Sequence, residues 1–369
     1  MILKEVAREL DELFKISTAE CFDNAGLLCG NSEREVTGIL ITHDALEEVI
    51  EEAVARKTNL VVAFHPVIFS GLKSVTGKNY VEKAVLKAIE NQIAIYAVHT
   101  AFDNDYYGVS YGLAEKLGLR KQRILIPKKK NLHRLDVYVP SAYVEAVRDA
   151  ILAAGAGNIG FYKDCSFSVS GLGTFTPKAH AKPFTGESEV RSYVEEQVLS
   201  FVFEVHKKNE VLNAMYTAHP YEEVAYQVFL TENENHYLGF GRYGYLEKEL
   251  GEKAFLGYVR ETLGLRVIRY SGVLNKKIKK VAVLGGSGAL GILAAHTLDC
   301  DAYLTGDLKY HDFFLSEKKM LLCDIGHFES ERWVVDQLFE RISEKFSKFA
   351  VLKGRICTNP VNYFFKEHD

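Results

Sequence analysis

Runs of four to six β-forming residues alternate along this chain with amphipathic stretches of about 11 residues, and that alternation restricts the fold more than any other feature. Gly38-Ile39-Leu40-Ile41-Thr42, Leu60-Val61-Val62-Ala63-Phe64 and Ile93-Ala94-Ile95-Tyr96-Ala97-Val98 are almost uninterrupted apolar runs. Helical stretches from Ala45 to Arg56 and from Tyr80 to Asn91 lie between them, and an opening helix reads through Leu13. A strand that is apolar on both sides of its pleat needs cover on both faces, as in a mostly parallel sheet built from βαβ units. The pattern returns late in the chain. Strands at Lys280–Leu284, Ala302–Thr305 and Lys318–Asp324 are joined by a helix at Ala289–Leu298 and followed by a long helix from Glu329 to Lys345.

The middle reads differently. Pro127-Lys128-Lys129-Lys130-Asn131 and Thr231-Glu232-Asn233-Glu234-Asn235 are polar and linker-like, and they bracket a self-contained stretch. Within it the order is strand Leu135–Val139, helix Ala142–Ala154, strands Phe167–Thr174 and Leu199–Val205, helix Asn209–Ala218, strand Val224–Leu230. That is the βαββαβ order of a ferredoxin-like unit. The expected architecture is therefore α/β: a discontinuous α/β/α core with mostly parallel sheets, residues 1–125 plus 236–369, carrying an inserted ferredoxin-like α+β domain, residues 126–235. An insert of about 100 residues is large enough to fold by itself.

Composition removes several function classes. Lys and Arg total 45 against 49 Asp and Glu, a net charge of −4 with both signs dispersed, which argues against a nucleic-acid partner. No apolar run approaches the roughly 18 residues of a membrane span, and the charged start MILKEVARELDELF lacks a signal-peptide core. The six cysteines are scattered with no CxxC pair, which fits a reducing cytoplasm.

Ligands of open α/β sheets bind beyond the carboxyl ends of the strands. Four strand ends in this chain each carry a histidine, three of them with a carboxylate close by: Phe64-His65-Pro66; His99-Thr100-Ala101-Phe102-Asp103; Gly306-Asp307 with His311-Asp312; and Asp324-Ile325-Gly326-His327-Phe328-Glu329-Ser330-Glu331. Taken singly, each histidine is best read as a hydrogen-bonded structural residue. Four at corresponding ends point to a divalent metal such as Zn²⁺, Mn²⁺ or Fe²⁺, bound by imidazole and carboxylate. His327 and Glu331 stand four apart on one helical face, so both reach one ion, and the carboxylate has a second oxygen for another.

Two glycine patterns compete for attention. Gly286-Ser287-Gly288-Ala289-Leu290-Gly291 fits a dinucleotide fingerprint, an anion site at Ser287 and Gly288, or simply a tight strand–helix turn; the turn is the economical reading. Gly239-Phe240-Gly241-Arg242-Tyr243-Gly244 leads into no helix and reads as a strand with close backbone approach, its Arg242 available to an anion. His219-Pro220-Tyr221-Glu222-Glu223 reads as a structural turn, with a second metal or effector site as the alternative, and Ser110, Ser166 and Ser170 lack the local context of a nucleophile elbow.

Together, Phe22-Asp23-Asn24-Ala25-Gly26-Leu27, His65-Pro66, His99 to Asp103, Gly285-Gly286-Ser287-Gly288, Thr305-Gly306-Asp307 and Gly326 to Glu331 resemble the Nif-three-like family over the whole chain. Its members are labelled GTP cyclohydrolase I type 2 homologs, and the segment Ala218 to Tyr226 is similar to the PII- and CutA-like insert of its longer bacterial forms. The resemblance implies a di-metal centre, one or two ions per chain, and a ring-shaped homohexamer built from trimers. It implies His65, Asp103, His327 and Glu331 as ligands. It also implies a second histidine before the proline, where this chain has Phe64. A phenyl ring cannot ligate, so the position served by His65, Asp103 and Glu331 is expected to survive best, and one resting on His327 and the shared Glu331 to be weakened.

Two functions follow as expectations. The first is a metal-dependent hydrolase of a nucleotide-like or phosphorylated small molecule, in which His99 or His311 moves the proton and the Ser287 and Gly288 amides meet negative charge. By the family label the substrate is GTP, with formate lost from its guanine ring. The second is a non-enzymatic, metal- or ligand-responsive regulatory assembly.

Overall fold

The computed structural model describes residues 1–272 and 274–364. In chain order, α1 (Leu3–Leu13), β1 (Gly26–Cys29), β2 (Gly38–Thr42), α2 (Glu47–Ala55), β3 (Leu60–Ala63), α3 (Tyr80–Glu90), β4 (Ala94–Ala97), α4 (His99–Asn104), α5 (Val109–Lys116) and β5 (Arg120–Lys128) form the first stretch. The second holds β6 (Leu132–Pro140), α6 (Val144–Ala153), β7 (Phe167–Phe175), β8 (Ser192–Glu204), α7 (Lys208–Ala218) and β9 (Tyr226–Leu230). The third runs through β10 (Asn235–Gly251), α8 (Glu252–Thr262), β11 (Arg269–Tyr270), β12 (Lys277–Ser287), α9 (Ile292–Thr297), β13 (Ala302–Gly306), β14 (Leu321–Asp324), α10 (His327–Glu331), α11 (Val334–Lys345) and β15 (Ala350–Lys353). These pack into two compact units, residues 1–126 with 238–369 and residues 127–237. No helix among the described residues is long and apolar enough to cross a membrane.

The first unit is a mixed α/β structure with two sheets. One has the order β1-β4-β3-β2-β15, parallel except for β1. Alternate residues of its apolar strands enter opposite cores: Ile39, Ile41, Leu60 and Val62 meet α1 and α11, whereas Leu40, Val61 and Ala63 meet α2 and α3. Each such Val, Leu or Ile side chain contributes about 1.5–3 kcal/mol by leaving water, so a slip of register would be costly on both faces. The other sheet, β11-β14-β13-β12-β10-β5, is parallel across β12, β13 and β14 and antiparallel where β11 meets β14 and β10 meets β12. It packs on α5 and α8 through Val281, Val283 and Leu304, and on α9 through Ala282, Leu284 and Tyr303.

Each sheet takes an edge strand from the other end of the chain: β15 closes the first and β5 the second. Gly241 in β10 has φ +69°, and a Cβ there would stand 3.0 Å from the Val283 carbonyl oxygen, the close approach its sequence suggested. Arg242 is not offered to an anion; it is buried, with its guanidinium 3.9 Å above the Tyr106 ring.

The second unit is a four-stranded antiparallel sheet, β7-β8-β6-β9, with α6 and α7 packed on it through Leu135, Val137, Phe201, Val147 and Met215. His219 is committed to this unit's backbone, its Nε2 2.9 Å from the Tyr138 carbonyl and its Nδ1 accepting from the Tyr221 amide. Glu222 accepts from the Lys182 amide.

Candidate metal centre

The site forms where the carboxyl ends of parallel strands from both sheets of the first unit converge. Beyond β2 and β3 the ladder continues: the Phe64 amide donates to Thr42 and the His65 amide to His43. The His99 amide, just past β4, donates to the Phe64 carbonyl. His43, His65 and His99 are thus set side by side by the spacing of the strands. From the other sheet, Asp307 follows β13, and His327 opens α10 after β14.

Each of these imidazoles has its Nδ1 on a carboxylate. His43 and His65 share Asp44, at 2.9 and 2.8 Å, and Thr358 also donates to that carboxylate. His327 pairs with Asp307 at 2.7 Å and His99 with Asp23 at 2.7 Å. A carboxylate on Nδ1 fixes the ring's orientation and turns Nε2 inward, the arrangement that orients histidine ligands of a metal. The Nε2 atoms of His43, His65 and His327 lie 3.3, 3.4 and 3.2 Å from one oxygen, Glu331 Oε2. Both that oxygen and His43 Nε2 are buried without a hydrogen-bond partner. Among the described residues, His65, His327 and Glu331 form one group able to hold an ion, and His43, Asp44 and His65 another.

Glycines make the space. A Cβ on Gly286 would fall 2.3 Å from Glu331 Oε1, and one on Gly306 would fall 2.7 Å from the His327 backbone. The Gly286 amide donates to Ser330 and the Gly285 amide to Ser110, so the glycine run seats α10 against β12. Ser287 still belongs to β12, paired with Gly306. Gly288 has its carbonyl on the Tyr303 hydroxyl, and a three-residue 3₁₀ turn and the six-residue α9 follow. The tight-turn reading of this run therefore describes it best.

Burial opposes charge at every member of the cluster. At His65 the carboxylates of Asp44 and Glu331 outweigh it and hold the imidazole up to about 10; at His327, Glu331 and Asp307 do so to about 9. Burial also opposes the charge of Glu331, yet the three imidazoles keep it well below the usual carboxylate range. Asp103 goes the other way: burial, then repulsion from Glu331, pushes its carboxyl well up.

Sequence-predicted residues separate clearly. His65, His327 and Glu331 come together. Asp103, on α4, stands within electrostatic reach of Glu331, His65 and His327 but outside the two groups of converging donors. His99 has its ring 5.3 Å from that of His65. His311 is exposed, stacked against Tyr310 and Phe314, and is not brought to the cluster. Asp44 and above all His43 escaped the sequence reading, and Asp23 entered it only as part of the Phe22 to Leu27 motif. Thr42-His43-Asp44 carried the same strand-end pairing of histidine and carboxylate that marked three of the other four. A cavity of about 400 Å³ opens above the cluster, walled by His43, His65, His327, Asp307, Arg269 and Tyr363.

Comparison with known proteins agrees with this architecture. Residues 1–360 match the family described as Duf34/NIF3 (NGG1p interacting factor 3). A Bacillus subtilis protein named GTP cyclohydrolase 1 type 2 homolog is 36% identical over 349 residues, 92% of this chain and 93% of its own. A Halalkalibacterium halodurans protein of the same name is 37% identical over 348 residues, again 92% and 93%. The crystal structure of a Bacillus cereus protein related to NIF3 superposes with a TM-score of 0.81 at 35% identity, covering 97% of this chain and 99% of that one.

Proposed function

This chain belongs to the Duf34/NIF3 family, and from that premise we propose that it binds divalent metal at His65, Asp103, His327 and Glu331 and acts as a metal-dependent hydrolase of a nucleotide-like or phosphorylated small molecule. The observation that carries the metal is the convergence of three imidazole nitrogens on one unpartnered carboxylate oxygen beneath an open cavity. Nitrogen and oxygen donors without sulfur suit Zn²⁺, Mn²⁺ or Fe²⁺. An ion so held supplies Lewis acidity and lowers the pKa of water to about 7.

The chain's own groups do the rest. Asp44 and Asp307 hold the ligand rings in position, and Glu331 offers two oxygens for one ion or two. His99, backed by Asp23, is the proton carrier in this proposal; His311 is left out by its place on the surface. On the cavity wall, Arg269, 2.9 Å from Asp324, is the cation that faces an anionic substrate, in place of the Ser287 and Gly288 amides. The relatives' name suggests GTP as substrate and formate as product.

Two wider features belong to the same proposal. The second unit is read as a ferredoxin-like insert, supported by its βαββαβ order and the strand order β7-β8-β6-β9. The chain is read as a homohexameric ring. The exposed Phe167, Leu172, Tyr193 and Phe229 of that insert favour an assembly, and with it the alternative of a metal-responsive regulator. Incubating the metal-loaded chain with a panel of nucleotides, and assaying formate and phosphate, separates the two functions. Turnover that disappears in Glu331→Gln supports the hydrolase; a loaded protein that releases neither product sinks it.

A further inference from the structure

We propose that His43 is a metal ligand of this centre, its Nε2 supplying the imidazole that Phe64 cannot. The inference rests on the metal-binding reading above and extends it by one ligand.

His43 Nε2 is buried, has no hydrogen-bond partner, and faces an oxygen in the same condition, Glu331 Oε2, at 3.3 Å. A buried imidazole nitrogen and a buried carboxylate oxygen that face each other without a hydrogen bond mark a place for something attracted to both. Two atoms each about 2.1 Å from a tetrahedral ion lie about 3.4 Å apart, which is the spacing seen here. The other ring nitrogen is already fixed: Nδ1 lies 2.9 Å from Asp44, which also serves His65. His43 therefore has the orienting carboxylate, the inward-facing Nε2 and the shared anionic neighbour that His65 has.

Its relation to Phe64 explains why a histidine is useful at this position. Residue 43 follows β2 and residue 64 follows the adjacent β3, and the Phe64 amide donates to the Thr42 carbonyl. The two rings lie 5.7 Å apart, on neighbouring rungs of one ladder. Phe64 is fully buried and packs beside His65 and His99 without offering a donor atom. An imidazole moved one strand sideways thus reaches the same carboxylate, and the position expected to be weakened by Phe64 has its nitrogen back. The competing account is an imidazolium that bridges Asp44 and Glu331 with no part in metal binding.

The test uses the full chain, stripped with a chelator and titrated with Co²⁺ and with Zn²⁺ against a chromophoric competitor. Parent, His43→Leu and the double variant His43→Leu/Phe64→His are compared. Removal of a ligand should cost at least the 10- to 100-fold in affinity that loss of an outer-shell partner costs, and should alter the Co²⁺ visible band. The double variant should recover both. A His43→Leu protein with the parent's affinity and spectrum overturns the proposal while leaving the metal reading intact; a parent that takes up no ion overturns the metal reading itself. If His43→Leu does not fold, ¹⁵N NMR of the parent decides. A His43 Nε2 resonance that stays still on Zn²⁺ addition while those of His65 and His327 move refutes the ligand role, and one that moves with them supports it.

Discussion

At Glu331 a carboxylate is kept ionised in a place that disfavours its charge, because three imidazoles face one of its oxygens. Glu331→Gln preserves shape and removes the charge that offsets a divalent ion. It should fold, as judged by circular dichroism, yet retain less than a tenth of the parent's metal by elemental analysis. Asp103→Asn should keep a measurable fraction, since Asp103 lies outside the converging groups; an empty Asp103→Asn beside a fully loaded Glu331→Gln would reverse the assignment. Gly286→Ala attacks the same carboxylate from behind. The residue sits at φ +69°, which costs a side chain about 1–2 kcal/mol, and the new Cβ would meet Glu331 Oε1 at 2.3 Å. We expect a lowered melting temperature together with lost metal; loss of stability alone would mean that the glycine serves only the turn. The convergence of His65, His327 and Glu331 was legible because residues at neighbouring strand ends are brought together. His311 shows the limit of that rule: it is near β13 in sequence, but the 3₁₀ helix Tyr310–Ser316 turns it outward. His43 was legible by the same rule, but it stands at the start of an amphipathic stretch, where a polar residue reads as a helix entrance.

Among the elements, the apolar strands read most directly, because burial on both faces leaves no polar residue to blur their ends. The reading of one helix from Glu329 to Lys345 needs correction. The structure divides it into α10 and α11 around Arg332 and Trp333, whose side chains stack at 4.8 Å. The division has a reason: α10 lies on the glycines of β12 and β13, while α11 sends Val334, Leu338 and Ile342 into the core of the other sheet. One straight helix would not face both. Strands β5 and β10 were missed over much of their length because their ends, Arg120-Lys121-Gln122 and Glu247-Lys248-Glu249, are as polar as loops. A pH dependence belongs to α3. Glu82, in its first turn, accepts from the Thr76 amide at 2.9 Å, the Lys78 amide at 3.1 Å and the Thr76 hydroxyl at 2.9 Å. Those bonds lower its pKa to about 2. A depressed carboxylate stabilises the fold above its unfolded pKa of about 4.3 and loses that contribution as pH falls toward 2. Glu82→Gln should therefore be less stable than the parent at pH 7, with the difference shrinking between pH 4 and 2 in denaturant titrations. An unchanged difference across that range would show that the loop does not depend on the charge.

At the scale of the whole molecule, the question is why a chain can interrupt a packed unit for 127–237 and still complete it. The chain leaves the first unit through β5 and returns through β10, and these are neighbours in one sheet. Exit and re-entry are therefore adjacent, so whatever lies between them needs only to bring its own ends together, the condition under which insertions are tolerated. The polar segments Pro127 to Asn131 and Thr231 to Asn235 lie beside these two crossings. What the sequence concealed is that the sheet itself spans the gap, since pairing between β5 and β10 is a contact across more than a hundred residues and leaves no local periodicity. The inserted stretch meets the other half of the condition with a core of its own, in which Leu135, Val137, Val139, Leu199, Phe201 and Phe203 pack on Val147, Ile151, Val211 and Met215. Residues 127–237 expressed alone should accordingly give a dispersed amide spectrum and a cooperative thermal transition. The complementary chain, with Ile126 joined to Leu238 through a short glycine linker, should keep its metal, because every proposed ligand lies in the first unit. A collapsed spectrum from the excised insert would reject its independence. Loss of metal from a shortened chain that still melts cooperatively would mean that the insert shapes the site, and would turn attention from a hydrolase with a passenger domain to a regulator whose two units act together.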